Sequence, residues 1–494
     1  MRAFLAALCV AAAAAAADSR CAGKIPSSWS WVGPVVSRNS SSIQHSQFSV
    51  GAEGMDRQLT VFDNWKSYLS GTGAKFARVQ AGWERCEPEG AGSYSWGWLD
   101  NIVVGMVARG VEPWIELSFG NSNYPNGGNA GSSSPFPQAG PALAGWLAWT
   151  TAVVCRYSPV DNIGAACAGH SRAPGLSTVL GANIFQVWDE PVKAGNTIQA
   201  YAALANATAT AVSLAAPGAQ VWVGGFSSPD AGLADALLTG MTHMGGVGLV
   251  TGVSYHSFTS APEAASSAVS ALRATASKYG DIEIVQGGGG APSSPADAAS
   301  QSGYNWTECS QAKWVSRRMV QDHQDDITTS VFTMVDMCTP DGGVVADGLI
   351  GATCPSKQVT KPKPAYYAFN ALASLFDAHW HYRSLSITVT PASGGFGSYT
   401  PFTGAYVHDT SSEFWVALWL GGQTPTNAGE TPTVDSTVTI RADGLFAPDL
   451  CWVDPVAGSR HRISTWSFGN GLYTITGVPL SDYVTVVVAC PEAA

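Results

Sequence analysis

From Phe48 onward, short runs of branched and aromatic residues alternate with longer stretches whose apolar residues recur at helical spacing. Eight runs read as strands: Phe48–Ala52, Lys75–Ala81, Glu112–Ser118, Ala182–Trp188, Gln220–Gly224, Val250–His256, Asp281–Gln286 and Thr329–Val335. Helix-like stretches fall between them, at Leu59–Leu69, Leu99–Arg109, Leu143–Tyr157, Thr197–Ala215, Asp230–Leu238, Glu263–Tyr279 and Cys309–Gln321, and Lys363–Phe376 follows the eighth strand. Eight strand–helix units in succession are what an α/β fold of the (β/α)8 TIM-barrel type requires. A doubly wound sheet is the competitor, but it wants a Gly-rich phosphate loop after its first strand, and none follows Ala52.

The texture changes after about Asp377. Ser384–Thr390, Phe414–Leu420, Ser436–Arg441, Leu472–Ile475 and Tyr483–Val488 are β-branched and aromatic, with Gly, Pro and Asp turns between them. That pattern predicts a C-terminal antiparallel β-sandwich. Its tryptophans 415, 419, 452 and 466 suit either a sandwich core or a sugar-stacking surface. At the other end, Arg2, the apolar run Phe4 to Val10 and an alanine tract up to Ala17 read as a secretory signal. The organisation predicted is a signal peptide at 1–17 and a polar lead-in at 18–45, able to add a strand to the C-terminal domain. The barrel follows at 46–376 and the β-sandwich at 377–494.

Composition narrows the partners. Only 12% of the 494 residues are charged and the net charge is -11, which suits neither a phosphate backbone nor an anionic membrane. Nucleic acid is therefore not an expected partner. No run beyond the signal is long enough to span a bilayer, so the reading is a protein secreted or held in the endomembrane lumen, with no membrane insertion after signal removal. Of ten cysteines, Cys9 lies in the signal, and the remaining nine leave at least one without an intramolecular partner. Cys155–Cys167, Cys338–Cys354 and Cys451–Cys490 are plausible short-range pairs, while Cys21, Cys86 and Cys309 stay unassigned. Sequons at Asn39, Asn206 and Asn305 make glycosylation an expectation. There is no CxxC and no Cys/His cluster, so neither metal nor cofactor is expected.

Chemistry concentrates in Asn183-Ile184-Phe185-Gln186-Val187-Trp188-Asp189-Glu190-Pro191. A charge-free strand ends in two carboxylates, and proline stops it. In a barrel this is the C-terminal end of the fourth strand, on the face where active sites are built. Glycoside hydrolysis commonly uses two carboxyl groups flanking the sugar bond, one as proton donor. Glu190 suits that acid, since an apolar wall beside Trp188 would raise its pKa.

The chain resembles clan A glycoside hydrolases, most closely proteins similar to glycoside hydrolase family 39. The likeness runs through Ala77-Arg78-Val79-Gln80-Ala81-Gly82-Trp83, Pro113-Trp114-Ile115-Glu116-Leu117-Ser118-Phe119-Gly120-Asn121, Asp189-Glu190-Pro191, Gln311-Ala312-Lys313-Trp314 and Lys363-Pro364-Ala365-Tyr366-Tyr367. The resemblance implies a retaining mechanism on an oligosaccharide or glycoside substrate, with Glu190 as acid/base. It implies that Arg78 supports the nucleophile side, that Tyr255 and His256 are strand-six site residues, and that Trp114, Asn121 and Trp188 shape the sugar pocket. Trp83, Gln286 and Asp336 are further substrate-binding candidates at strand ends.

Two positions depart from the clan's pattern. Its Asn-Glu-Pro signature appears here with Asp189 in place of asparagine, and an ionised aspartate accepts but does not donate a hydrogen bond. Strand seven should end in the nucleophile Glu, yet reads Glu283-Ile284-Val285-Gln286-Gly287-Gly288-Gly289-Gly290. The alignment puts Gly288 at the nucleophile position, and a register shift of two puts Gln286 there. Without that carboxylate the covalent step is lost. Three accounts fit: a catalytically impaired relative that still binds sugar, a residue changed by engineering or by an error in the recorded sequence, or another carboxylate such as Glu53, Glu116 or Asp336 serving with a water in an inverting-like geometry. The alternative function is a non-catalytic carbohydrate-binding protein on the same barrel.

Overall fold

The computed structural model describes residues 19–131, 133–295 and 304–490, so the signal peptide read at 1–17 lies outside the described residues. Eight parallel strands close into a barrel: Phe48–Gly51, Phe76–Gln80, Glu112–Leu117, Ile184–Val187, Gln220–Phe226, Gly252–His256, Glu283–Gly289 and Thr328–Val331. Each pairs with its sequence neighbour, and closure comes from Phe48–Gly51 pairing with Thr328–Val331. The strands sit where the apolar runs predict, with ends shifted by a few residues.

Period-two alternation sorts each strand's side chains between two cores. Trp114, Ile184, Trp222 and Val285 point into the lumen and fill its lower layer, with Phe76 against them. Phe185, Val187, Val253 and Ile284 point outward onto the helices and belong to one large core. The helices that build this outer ring include Gly97–Val107, Gly140–Tyr157, Ile198–Ala215 and Ala231–His243, then Glu308–Gln324 and Pro364–Leu375. Thr307 caps Glu308–Gln324 in a reciprocal box with Ser310, which fixes where that helix starts.

The C-terminal strands form two antiparallel sheets. The four-stranded sheet contains Ser386–Pro391, Val434–Arg441, Leu472–Leu480 and Trp466–Gly469. The seven-stranded sheet is centred on Phe414–Gly421 and Thr485–Ala489. Its inner face packs on the smaller sheet through Val416, Leu418, Trp452 and Val487. Its outer face packs on the barrel through Ala417, Trp419, Val453 and Val486. Burial on both faces explains why Phe414–Gly421 reads as continuous apolar sequence rather than alternation. Trp419 and Trp452 are thus core residues, not a sugar platform.

Buried ion pairs join the two layers. Lys313 Nζ lies 3.0 Å from Asp482 Oδ1 with both side chains fully buried. Arg317 Nε donates to Glu263 Oε1 at 2.8 Å, and Trp419 Nε1 donates to the same oxygen at 2.7 Å. Ser30–Pro34 adds an antiparallel edge strand to the seven-stranded sheet beside Ser459–Arg462. Cys21–Cys309 ties that lead-in to the helix after strand seven. The pairs Cys155–Cys167, Cys338–Cys354 and Cys451–Cys490 also form, leaving Cys86 free and buried. Among the described residues, no helix is long and apolar enough to cross a membrane.

Candidate active site

The C-terminal ends of the strands converge on Arg78. Its Nη1 donates to Glu53 Oε1 at 2.9 Å, and its Nη2 donates to Asp189 Oδ1 at 2.7 Å and to Glu116 Oε2. Three carboxylates from strand ends one, three and four therefore share one buried guanidinium. Glu116 Oε1 also accepts from Gln80 Nε2 at 3.1 Å, and Glu53 Oε2 accepts from Thr333 Oγ1 at 3.2 Å. Burial pushes Glu116 up to about 8, with Asp189 and Glu53 adding to the rise against the pull of Arg78. Burial raises Glu53 as well. Asp189 goes the other way: burial opposes its charge, but Arg78 and His256 hold it well below the usual carboxylate range.

Backbone geometry aims the fourth strand end. Trp188 and Glu190 both adopt left-handed conformations, with φ of 64° and 45°, on either side of Asp189. Such non-glycine residues cost on the order of 1 kcal/mol or more each and persist only where surroundings hold them. Here Trp188 N bonds Leu117 O and Glu190 N bonds Gly225 O. The reversal turns the Trp188 ring away from the cleft, into Phe119, Phe136 and Trp146. Asp189 and Glu190 are left facing the strand-six end.

There His256 Nε2 lies 3.2 Å from Asp189 Oδ1 and His256 Nδ1 lies 3.8 Å from Glu190 Oε1. Burial disfavours the imidazolium, yet the two carboxylates outweigh it and bring His256 up to about 9. Lys193, half-exposed, closes on Glu190 Oε2. Burial raises Glu190, but the facing His256 imidazole and the Lys193 ammonium outweigh it and place the carboxyl below its ordinary value. The sequence expectation of a raised pKa is therefore reversed. The tryptophan that was to form the apolar wall has turned away, and two cations face the carboxyl instead.

Strand seven bulges as it reaches this site. Tyr255 pairs with Gln286 and His256 pairs with Gly288, so Gly287 is skipped. The four glycines differ in what a side chain would meet. A Cβ at Gly287 would stand 2.2 Å from Ser254 Oγ, at Gly289 1.9 Å from Gln286 Nε2, and at Gly290 2.2 Å from Phe332 O. At Gly288 the nearest atoms are His256 Cδ2 at 3.3 Å, His256 Nε2 at 3.5 Å and Arg78 Nη1 at 3.6 Å. Its φ lies outside the left-handed region. Gly288 is the one glycine of the run that admits a side chain, and the side chain would enter between His256 and Arg78.

Several sequence candidates lie elsewhere. Trp83 is fully buried among Tyr124, Trp146 and Trp149, with its Nε1 donating to Glu87. Trp114 stacks edge-on with Trp222 in the lumen, beneath Arg78, and presents no open face. Asn121 is buried; its Nδ2 donates to Glu87 O of the loop after strand two, and its Oδ1 accepts from Asn123 N within its own loop. Tyr255 and Gln286 each follow an inward residue, so alternation turns both away from the lumen; Gln286 Oε1 accepts from Ser330 N. Asp336 is taken by Lys363 Nζ at 2.6 Å and Gly348 N at 2.9 Å. Arg78, Asp189, Glu190, His256 and Gly288 are the candidates brought together.

Sequence reasoning did not find Lys193, Gln80 or the half-buried rings of Phe258 and Phe332, which meet edge-on beside His256. Lys193 was legible as the i+3 partner of Glu190. Phe332 carried no signal, because it follows the last residue of strand eight in a stretch read as strand. A cavity of about 960 Å³ opens at the opposite mouth of the barrel, where the strands begin, and contains none of these groups.

No family model matches the sequence, and no curated protein matches it. Solved structures do match. A family 39 glycoside hydrolase from Bacteroides cellulosilyticus WH2 is 17% identical with TM-score 0.57, over 92% of this chain and 81% of that one. A monomeric beta-xylosidase from Caulobacter crescentus CB15 is 15% identical with TM-score 0.58, over 94% and 98% of the two chains. A family 51 alpha-L-arabinofuranosidase from Bifidobacterium longum is 13% identical with TM-score 0.57, over 92% and 97%. The chain thus has the barrel-plus-sandwich fold of clan A glycoside hydrolases along nearly its whole length.

Proposed function

We propose that the protein is a secreted glycoside hydrolase of clan A architecture, acting on O-glycosidic bonds, with Glu190 as acid/base and Gly288 at a vacated nucleophile position. The observation that carries this reading is the aim of Gly288: its absent side chain would enter the same cationic corner that Asp189 and Glu190 already face. In a retaining hydrolase, a nucleophile there would attack the anomeric carbon while Glu190 delivers its proton to the leaving oxygen. Arg78 would hold the attacking carboxylate ionised, and Phe258 and Phe332 would offer apolar edges to a sugar ring. Four disulfides are compatible with secretion. The fold alone does not choose a sugar; the names of the matched proteins make aryl β-xylosides and α-L-arabinofuranosides the first probes.

A second reading, carbohydrate binding without turnover, is favoured by a specific feature: Lys193 and His256 hold Glu190 ionised, the wrong state for a proton donor. One experiment separates the two. Wild type and Gly288→Glu are assayed on aryl glycosides and for oligosaccharide binding. Turnover by Gly288→Glu, at least about a hundredfold above wild type and lost in Gly288→Glu/Glu190→Gln, supports the hydrolase reading. Binding by both without turnover supports the second reading, and neither binding nor turnover overturns both. Turnover by wild type that Glu190→Gln abolishes would point to another carboxylate in the nucleophile's place.

A further inference from the structure

Outside the barrel mouth, three metal-type donors converge where the chain leaves the last barrel helix for the sandwich. We propose that His379, His408 and Asp409 form a binding site for a divalent transition-metal ion of the zinc class. One donor atom from each lies within 4.8 Å of the other two. His379 Nδ1 is 2.9 Å from Asp409 Oδ2, and His408 Nδ1 is 3.4 Å from Asp409 Oδ1. Tetrahedral zinc with bonds of about 2.0–2.1 Å wants its donors roughly 3.3 Å apart. The two nitrogen–oxygen distances bracket that value although they run to different oxygens of Asp409, and rotation of the partly exposed side chains would bring all three donors, now within 4.8 Å of one another, onto one ion.

The backbone fixes the three carriers before any ion arrives. Trp380–Tyr382 pairs with the end of Thr400–His408, so that Trp380 stands opposite His408. His379 and Asp409 form the next rung, with Asp409 N donating to His379 O at 2.9 Å. His379 N in turn donates to Asp377 Oδ1. The two imidazoles stack with centroids 5.4 Å apart and planes 23° from parallel, which brings both Nδ1 atoms to the same carboxylate. Trp380 packs edge-on against His408 and stacks on Trp415 at 3.6 Å, so the His408 ring has a rigid wall behind it. Oriented ligands of this kind are what metal sites require of their surroundings.

Two imidazole nitrogens and one carboxylate oxygen suit zinc, nickel or copper rather than calcium or magnesium, which prefer all-oxygen sets. A fourth position is open toward solvent, since all three side chains are partly exposed. His408 Nδ1 is also 3.3 Å from Thr410 N, a long contact that a metal–nitrogen bond would replace. A bound ion would cross-link residue 379, just past the barrel, to the corner after residue 408 in the sandwich. The 28 positions between His379 and His408 explain why no motif in the sequence reveals the site.

The test uses the full secreted chain, stripped with chelator and titrated with ZnCl2 by calorimetry, with His379→Ala/His408→Ala as comparison. The expected result is one equivalent bound by wild type, with affinity at least about tenfold weaker in the double variant; outer-shell losses alone cost ~10–100-fold. Zinc should raise the melting temperature of wild type and not of the variant. X-ray absorption at the zinc edge should show two imidazole nitrogens. Equal zinc uptake by wild type and the double variant, no uptake by either, or a preference for Ca2+ over Zn2+ would overturn the site.

Discussion

Asp189 and His256 meet at 3.2 Å above Arg78, in the corner that a side chain at position 288 would enter. A carboxylate one residue before Glu190 thus holds a negative charge in the corner where Gly288 offers none. Arg78 keeps an anionic neighbour facing the cleft even though Gly288 offers none, and His256 is held as its imidazolium partner.

Replacing Asp189 with Asn should release that histidine. The Asp189 carboxylate is the strongest influence raising His256 against burial. In Asp189→Asn its titration should fall from about 9 toward or below the ordinary value near 6.5. Histidine side-chain NMR, with His256→Gln to assign the signal, measures the shift directly. An unmoved titration would mean that Glu190, not Asp189, holds the proton on the ring.

Stability should decline from near neutral toward alkaline pH. His256 is raised to about 9 in the folded state, so its contribution is complete below the unfolded value near 6.5 and is lost as pH rises through 9. Glu116, raised to about 8, acts with the same sign: folding favours its protonated form, and that advantage disappears as pH rises through 8. Together they should lower urea midpoints between pH 6 and pH 9, with His256 contributing on the order of 3 kcal/mol at most. In His256→Gln the slope over this window should flatten, whatever the variant's stability at pH 6.

Lys193 should set the working range of any activity that Gly288→Glu confers. Removing it in Lys193→Ala takes away one of the two cationic neighbours that lower Glu190. The alkaline limb of kcat/KM, which reports loss of the acid's proton, should move up by roughly 0.2–0.7 pH units, as expected for a half-exposed pair worth about 0.2–1 kcal/mol. The readout is the limb's position rather than the rate, so a merely structural role for Lys193 would leave it in place.

Glu263→Gln should weaken the seam between barrel and sandwich. Glu263 receives Arg317, Trp419 Nε1 and Gly422 N in a buried setting, and a neutral amide leaves the guanidinium without its counter-ion. Breaking a buried pair from one side costs about 3–5 kcal/mol. Urea unfolding should show that loss, and Lys361→Ala, which breaks an exposed pair with Glu308, should stay within about 1 kcal/mol of wild type.

The strand–helix order was legible because parallel strands buried on both faces leave uninterrupted apolar runs, and each of the eight falls on a barrel strand. Arg78, Asp189, Glu190 and His256 were legible because strand ends carry the site in this architecture. Tyr255 and Gln286 were misread for want of alternation: each adjoins an inward position, so each must point outward. Tryptophans defeat residue-type reasoning altogether. Trp83, Trp114 and Trp188 sit at three strand ends or starts, yet their rings fill the helix layer or the lumen according to local backbone direction. The direction of the Glu190 shift depended on the Trp188 reversal and on Lys193, and a left-handed residue before a carboxylate leaves no mark in composition. The Cys21–Cys309 bond was invisible for a simpler reason, since 288 residues separate its ends.

That bond and the edge strand Ser30–Pro34 have a consequence for how the chain is made. The strand is translated before any of the barrel, and its partner, Ser459–Arg462, comes only after the barrel and most of the sandwich. At ~5–20 residues per second, a ribosome needs roughly 20–90 s to cover the gap. Throughout that interval the N-terminal segment is an unpaired β-edge with the exposed Trp31 on it, tethered to a barrel that is already assembling. Once Cys309 has emerged after strand seven, an external two-electron oxidant or disulfide donor of the secretory compartment can join it to Cys21. The bond would park the waiting segment against the barrel before the sheet that receives it exists.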